Sequence, residues 1–199
     1  MLVACVAPGP SLTRETCDRL AGRCRVLVVN NAYQLAPWAD WLYACDRNWW
    51  DVHEADVRAH FYGECWTQAA DAAEMYRLHH VQMAPPPERF RGLDTRIGNI
   101  RGGYNGGYQA INLALHFGAT RILLVGYDMQ PIGDKHHFFG EYTHPKLAKS
   151  RDYARFAQAF DTIRPEDYGL EIVNCTPGSA VRAFPFMELS AALDAYTEG

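Results

Sequence analysis

The sequence predicts one α/β domain: a Rossmann-like, doubly wound, mostly parallel sheet with helices on both faces and a long lid-like loop. Three observations carry that expectation. Short apolar runs alternate with helical patterns along the chain. The runs at 2–7, 26–29 and 122–125 are continuously apolar, as strands covered on both faces are. Five of the runs end in small, polar or acidic residues, which is where open α/β sheets bind ligands.

Strands are expected at 2–7, 26–29 and 41–45, more weakly near 60–65, then at 81–84, 122–125 and 171–175. A helix over 13–22 follows the first strand and stops on Gly22, a usual C-terminal signal. The clearest helix covers 106–117, with Tyr108, Ile111 and Leu115 at i, i+3, i+7 and Gly118 closing it. A third, 150–163, puts Tyr153, Phe156 and Phe160 on one stripe. Two stretches lack periodicity, 85–103 and 130–149. Loops this long in a compact domain are often lids or binding loops. The aromatics Trp38, Trp41, Trp49 and Trp50 are expected in the core and a satellite cluster.

Residues 1–199 read as a single domain, with no internal repeat. Apolar residues make up 48% and charged residues 21%, with a formal charge of −4. A mildly acidic chain without interleaved Lys, Arg and aromatics argues against nucleic acid as partner. No apolar run nears the ~20 residues that span a bilayer, and no signal peptide is read at the start. The six cysteines form no C-x-x-C pair. All six are expected as reduced thiols in a cytosol.

The strand ends carry the chemistry. The first ends in Pro8-Gly9-Pro10-Ser11, the second in Asn30-Asn31, the third in Asp46-Arg47-Asn48. The strand at 122–125 runs into Gly126-Tyr127-Asp128, and the last into Asn174, Thr176, Pro177 and Ser179. Gly9 allows close approach of a ligand, and the helix opening at Pro10 or Ser11 favours an anion. The cluster from Gly102 to Gly107, with Asn105 and Gly106, opens the best helix and offers a second anion-suited element. Neither a P-loop nor a G-x-G-x-x-G fingerprint is present. Asp128 and, less strongly, Asp46 read as ribose acceptors or strand-end caps, and Asp128 as a metal ligand if Mg²⁺ is needed. The loop from Lys135 to His144 holds three of the eight histidines, candidates for a general base or a phosphate partner. Zinc is not expected, because adjacent His136 and His137 rarely ligate one ion.

The segment Ala7-Pro8-Gly9-Pro10-Ser11-Leu12 resembles the G-N-G-P-S-L opening of bacterial sialyltransferases of glycosyltransferase family 42. It also resembles the related pterin diphosphokinase-like proteins of archaea, bacteria and phages. Asn30-Asn31-Ala32-Tyr33 is similar to the family's N-Q-F-Y. The stretch from Asn105-Gly106-Gly107 to Gly126-Tyr127-Asp128-Met129 is similar to its T-S-G…A-L-G…I-x-L-x-G-x-D-F block. His144 falls where the family has its base, and Cys175 to Ser179, then Phe184 and Glu188-Leu189, resembles C-P-N-S-L…F-x-E-L. Departures are specific. Pro8 replaces a nucleotide-contacting Asn, Gly106 replaces a Ser, and Tyr142 is the nearest counterpart of two phosphate-holding tyrosines.

The resemblance implies a nucleotide-sugar-dependent glycosyltransferase-like enzyme, phage or prophage in type and working in a bacterial cytosol. His144 would be the general base and Tyr142 a second catalytic group. Gly9, Pro10, Ser11, Asn30, Asn31, Asp46, Asn105, Gly106, Gly107, Gly126, Asp128, Pro177 and Ser179 would hold the nucleotide. The partners would be that nucleotide sugar and a small-molecule or glycan acceptor, with homo-oligomerisation left open. Two rivals stand beside this reading. One is Mg²⁺-assisted pyrophosphoryl transfer from ATP to a pterin-like alcohol. The other is a non-catalytic nucleotide-binding module.

Overall fold

The computed structural model describes residues 1–147 and 151–197. Seven parallel strands form the central sheet: β1 (Leu2–Val6), β2 (Arg25–Val29), β3 (Trp41–Tyr43), β4 (Glu64–Thr67), β5 (His79–His80), β8 (Arg121–Val125) and β9 (Glu171–Asn174). Two further short strands, β6 (Gln82–Met83) and β7 (Asn99–Ile100), pair with each other outside it. The order across the sheet is β5-β4-β3-β2-β1-β8-β9. The chain therefore winds outward from β1 to one edge, then returns past β1 to build the other side.

The helices are α1 (Arg14–Asp18), α2 (Arg47–His60), α3 (Ala70–Tyr76), α4 (Gly106–His116), α5 (Tyr153–Ala159) and α6 (Leu189–Thr197). They cover both faces, and the strands show why the apolar runs are continuous. On β1, Val3 and Cys5 pack with Tyr108 and Ile111 of α4. Ala4 and Val6, one step along, pack toward the opposite layer with Trp50 of α2 and Leu193 of α6. A period of two sends successive side chains to opposite cores, so no position in the strand is left polar. The doubly wound parallel fold predicted from the sequence is the fold observed. Among the described residues, no helix is long and apolar enough to cross a membrane. All six cysteines are free.

Several boundaries differ from the expectation. The helix expected over 13–22 is regular only at Arg14–Asp18, then continues as turns to Arg23. The weak strand near 60–65 lies at Glu64–Thr67, because His60 still belongs to α2. The run 81–84 divides its neighbourhood between β5 and β6, which belong to different sheets. The helix expected over 150–163 is α5 followed by a 3₁₀ turn at Phe160–Thr162, and Ser150 lies outside the described residues, as do 148 and 149. Trp41, Trp49 and Trp50 are buried as expected, but Trp38 is exposed. Helices α2, α3 and α6 had no sequence expectation. In α2 only Trp49, Trp50 and Val57 are buried, too few to make a stripe of period 3.6.

Candidate functional site

A cleft of about 560 Å³ opens over the carboxyl ends of the strands. That volume suits a nucleotide-sized ligand. Its floor is built from Ala7 and Pro8 after β1, Val29 and Asn30 at β2, Cys45 and Asp46 after β3, and Gln68 after β4. Asn105, Gly106 and Gly107, at the start of α4, form one side. The lid, residues 130–147, contributes His137, Tyr142 and Leu147, and Arg151, Tyr153 and Phe156 follow on.

The start of α4 is shaped for close approach. Asn105 caps the helix, its Oδ1 accepting from the Tyr108 amide at 2.8 Å. That leaves Gly106 and Gly107 as the first helical positions, whose amides have no intrahelical acceptor. A side chain on Gly107 would meet the Tyr127 ring at 2.9 Å. Beneath the cleft, Gln109 accepts from the Tyr43 hydroxyl at 2.8 Å and donates to the Gly102 carbonyl at 2.9 Å.

The backbone around the cleft is strained. Four non-glycine residues among those described adopt positive φ: Asn30 (49°), Arg77 (55°), Tyr104 (66°) and Met129 (49°). Arg77 ends α3, a usual place for a left-handed residue. The other three all line the cleft. Each such residue costs of order 1–3 kcal/mol, and this strain concentrates at ligand sites.

The lid is tied to the floor at two points. Tyr142 donates its hydroxyl to Asn31 Oδ1 at 3.0 Å, and Trp49 Nε1 donates to the same oxygen at 2.8 Å. The Phe138 amide donates to the Pro8 carbonyl at 3.3 Å, and His137 Nδ1 lies 3.2 Å from that oxygen. A hydrogen on Nδ1 would leave Nε2 as the bare nitrogen, which is buried without a hydrogen-bond partner. Burial pushes the His137 imidazole down to about 4, with Arg151 acting in the same sense. His137 stacks on Phe139 at 4.9 Å.

The expected site residues divide into five groups. Asn30, Asp46, Asn105, Gly106, Gly107 and Tyr142 line the cleft together. Asn31 lies just beneath, 4% exposed, with its side-chain oxygen occupied by Trp49 and Tyr142. Gly9, Pro10, Ser11, Gly126 and Asp128 do not line the cleft. Gly9, Ser11, Gly126 and Asp128 close the seam between β1 and β8 instead. Ser11 Oγ donates to Asp128 Oδ2 at 2.9 Å, and the Gly9 amide donates to the Gly126 carbonyl at 3.1 Å. Glycine is required at position 9 because a Cβ there would lie 2.0 Å from Asp128 Oδ2 and 2.3 Å from the Gly126 carbonyl oxygen. Asp128 is 2% exposed, and burial raises its carboxyl above the usual range against the opposing Ser11 bonds. Its Oδ2 accepts from Ser11 within the seam, and Asp128 is not among the residues lining the cleft. Pro177 and Ser179 line a separate hollow of about 390 Å³ beyond β9. Ser179 is itself buried, donating to the Tyr127 carbonyl at 2.5 Å.

His144 is exposed and outside the lining set. Its carbonyl accepts from the Leu147 amide at 2.9 Å, and its Nδ1 from the Lys146 amide at 3.3 Å. Among the described residues, no three His, Cys, Asp or Glu side chains gather as a metal set. The sequence reading did not single out Arg89, Trp49, Gln109 or Met129 for the site. None follows a strand end as a small polar residue does, so the signal used for the other positions passes over them.

Fold and site together define a Rossmann-like α/β domain with a lidded strand-end cleft. No protein-family model, curated protein or solved structure gives a significant match to this chain.

Proposed function

We propose that the cleft binds a nucleotide and that the domain is a nucleotide-sugar-dependent glycosyltransferase-like enzyme. The observation that carries the reading is the convergence of four strand ends, the start of α4 and three strained residues on one nucleotide-sized cleft. The free amides of Gly106 and Gly107 suit a phosphate. Asn30 and Asp46, at neighbouring strand ends, suit the hydroxyls and base edge of a nucleoside.

In the transfer, an acceptor hydroxyl attacks the anomeric carbon of the donor sugar. The new C–O bond forms as the bond to the nucleotide phosphate breaks, and the nucleotide leaves with that electron pair. The acceptor's proton passes to a lid histidine. Resemblance assigns that role to His144, and position in the cleft favours His137, whose lowered affinity for a proton keeps it neutral at pH 7. A positioned base of this kind contributes typically 10²–10⁴-fold in rate.

The test has two stages. Thermal melting is followed with CMP, UDP, GDP, ATP and their sugar conjugates, with and without Mg²⁺. A true ligand at ~100 Kd adds roughly 2.7 kcal/mol. No shift with any of them rejects the nucleotide site. Turnover of the best donor is then measured in His144→Ala and His137→Asn. Loss in one of them, with nucleotide affinity kept within a few-fold, identifies the base, and unchanged turnover in both rejects the mechanism. Loss of activity in EDTA would move the reading to pyrophosphoryl transfer.

A further inference from the structure

The arm that carries the outer wall of the cleft, residues 85–104, is held by its own ion pairs. Asp94 is buried and takes Arg96 at 2.7 Å and Arg101 at 3.2 Å. Glu88 takes Arg96 at 3.3 Å. Asn112 of α4 pins the arm from below, accepting from the Asp94 and Arg101 amides and donating to the Asp94 carbonyl. Both acids of the arm are therefore committed to Arg96 and Arg101. Arg151, across the cleft, is committed to Glu141 at 2.9 Å.

Of the two arginines that line the cleft, Arg89 is the one without such a partner among the described residues. It lines the cleft and is half-buried. Its Nε donates to the Ala84 carbonyl at 3.2 Å, and its guanidinium carbon lies 5.8 Å from the centre of the Phe90 ring. Phe90 in turn stacks on Tyr104 at 4.7 Å and 14°. Tyr104 is backed by Arg155, 3.7 Å from its ring centre. Among the described residues, Arg89 has no carboxylate partner. The Arg89 carbonyl also accepts the Gly102 and Gly103 amides at 2.7 and 3.2 Å, so its backbone is fixed to the glycine-rich run that leads into α4. A guanidinium held at Nε and packed on an aromatic ring keeps its terminal donors in a set plane. Little conformational freedom is then left to lose when they meet a planar or tetrahedral oxyanion. A half-buried cation without a counter-charge has lost solvation that a bound anion would offset.

We infer that Arg89 is the anchor of an anion subsite in the cleft, binding a phosphate or carboxylate group of the ligand. This rests on the proposed nucleotide cleft. The anion belongs either to the nucleotide itself or to a second substrate, and the same oxyanion chemistry serves both.

Inorganic pyrophosphate and citrate are titrated calorimetrically into the full chain and into Arg89→Gln, Arg89→Lys and Arg91→Gln. Arg91 is exposed and close in sequence, so its variant makes the same charge change away from the cleft. The expected result is saturable binding of at least one anion, weakened tenfold or more in Arg89→Gln. Arg89→Lys should recover part of the affinity, and Arg91→Gln should lie within twofold of the unaltered chain. Circular dichroism and melting temperature confirm that the variants fold. Absence of anion binding to the unaltered chain, equal binding by Arg89→Gln, or an equal loss in Arg91→Gln overturns the inference. Nucleoside and nucleoside diphosphate affinities then locate the source. A loss in Arg89→Gln confined to the diphosphate assigns the anion to the nucleotide. Unchanged nucleotide affinity, with pyrophosphate or citrate binding lost at saturating nucleotide, assigns it to a second substrate. Should no nucleotide bind while the Arg89 and Arg91 variants still separate, the nucleotide reading fails and the anion subsite stands.

Discussion

Replacing Asn31 by alanine removes one oxygen that two donors share. Trp49 Nε1 and the Tyr142 hydroxyl both point to Asn31 Oδ1, at 2.8 and 3.0 Å. Trp49 is 3% exposed, so its N–H has no water to turn to, and an orphaned buried donor costs about 1–3 kcal/mol. Tyr142 sits on the lid and loses an ordinary hydrogen bond, about 0.5–1.5 kcal/mol. Asn31→Ala should therefore destabilise by about 2–4 kcal/mol. Tyr142→Phe should cost only about 0.5–1.5 kcal/mol, because Trp49 still satisfies the oxygen. The double variant should show coupling, its cost falling short of the sum of the two single costs. Urea unfolding, followed by tryptophan fluorescence and far-UV circular dichroism, measures all three. A cost below about 0.5 kcal/mol for Asn31→Ala, or equal costs for the two single variants, would refute the shared-acceptor argument. The same variants separate two roles for Asn31. A clamp residue loses stability first, whereas a residue whose side chain binds the nucleotide loses ligand affinity with stability intact.

Two further outcomes follow from the geometry. Gly9→Ala drives a methyl group into Asp128 Oδ2 and the Gly126 carbonyl oxygen, an overpacking worth about 3 kcal/mol and a fall in Tm of roughly 6–12 °C by calorimetry. An unchanged Tm would show that the β1–β8 seam is not closed as described. His137 makes stability depend on pH. Its folded value of about 4 lies below the ordinary 6.5, so the unfolded chain binds more protons between those values. The contribution is complete above about pH 6.5 and is lost as pH falls toward 4, amounting to about 2–3 kcal/mol. His137→Gln should flatten that part of the profile in urea titrations across pH 4–7. A parallel profile would show that His137 is not the group responsible.

The fold was legible because both faces of the sheet are covered. The run Leu2 to Val6 has no polar position, and the structure accounts for each residue by sending alternate side chains into two cores. Helix α4 was legible for the same reason, being buried along nearly its whole length and closed at Gly118. Helix α2 was not. Its two tryptophans adjoin in sequence and its remaining turns are polar, so the segment reads as an aromatic cluster rather than a helical face. Site location followed from small polar residues after strands, and Asn30, Asp46, Asn105 and the two following glycines do meet in one cleft. That rule did not separate residues facing the cleft from those closing the adjoining seam. Gly9 and Asp128 carry the same sequence signature as Asn30 and Asp46, and only the packing of Gly9 against the Asp128 carboxylate distinguishes them. Arg89 gave no signal of its own, because its meaning depends on where Glu88 and Asp94 find their partners.

The strand order has a consequence for how the molecule comes to exist. β1 lies in the interior of the sheet and pairs with β2 on one side and β8 on the other, Leu2 lying opposite Arg121. During synthesis, β1 acquires its second neighbour, β8, only after residues 7–120 have followed. Until then one flank of an entirely apolar strand is an open template for pairing with another nascent chain. Assembly from such distant partners is slow by nature. The interval between making β1 and making β8 is thus the period of greatest exposure to misassociation, and substitutions that delay β8 from docking should lower the yield of native protein before they alter the finished fold.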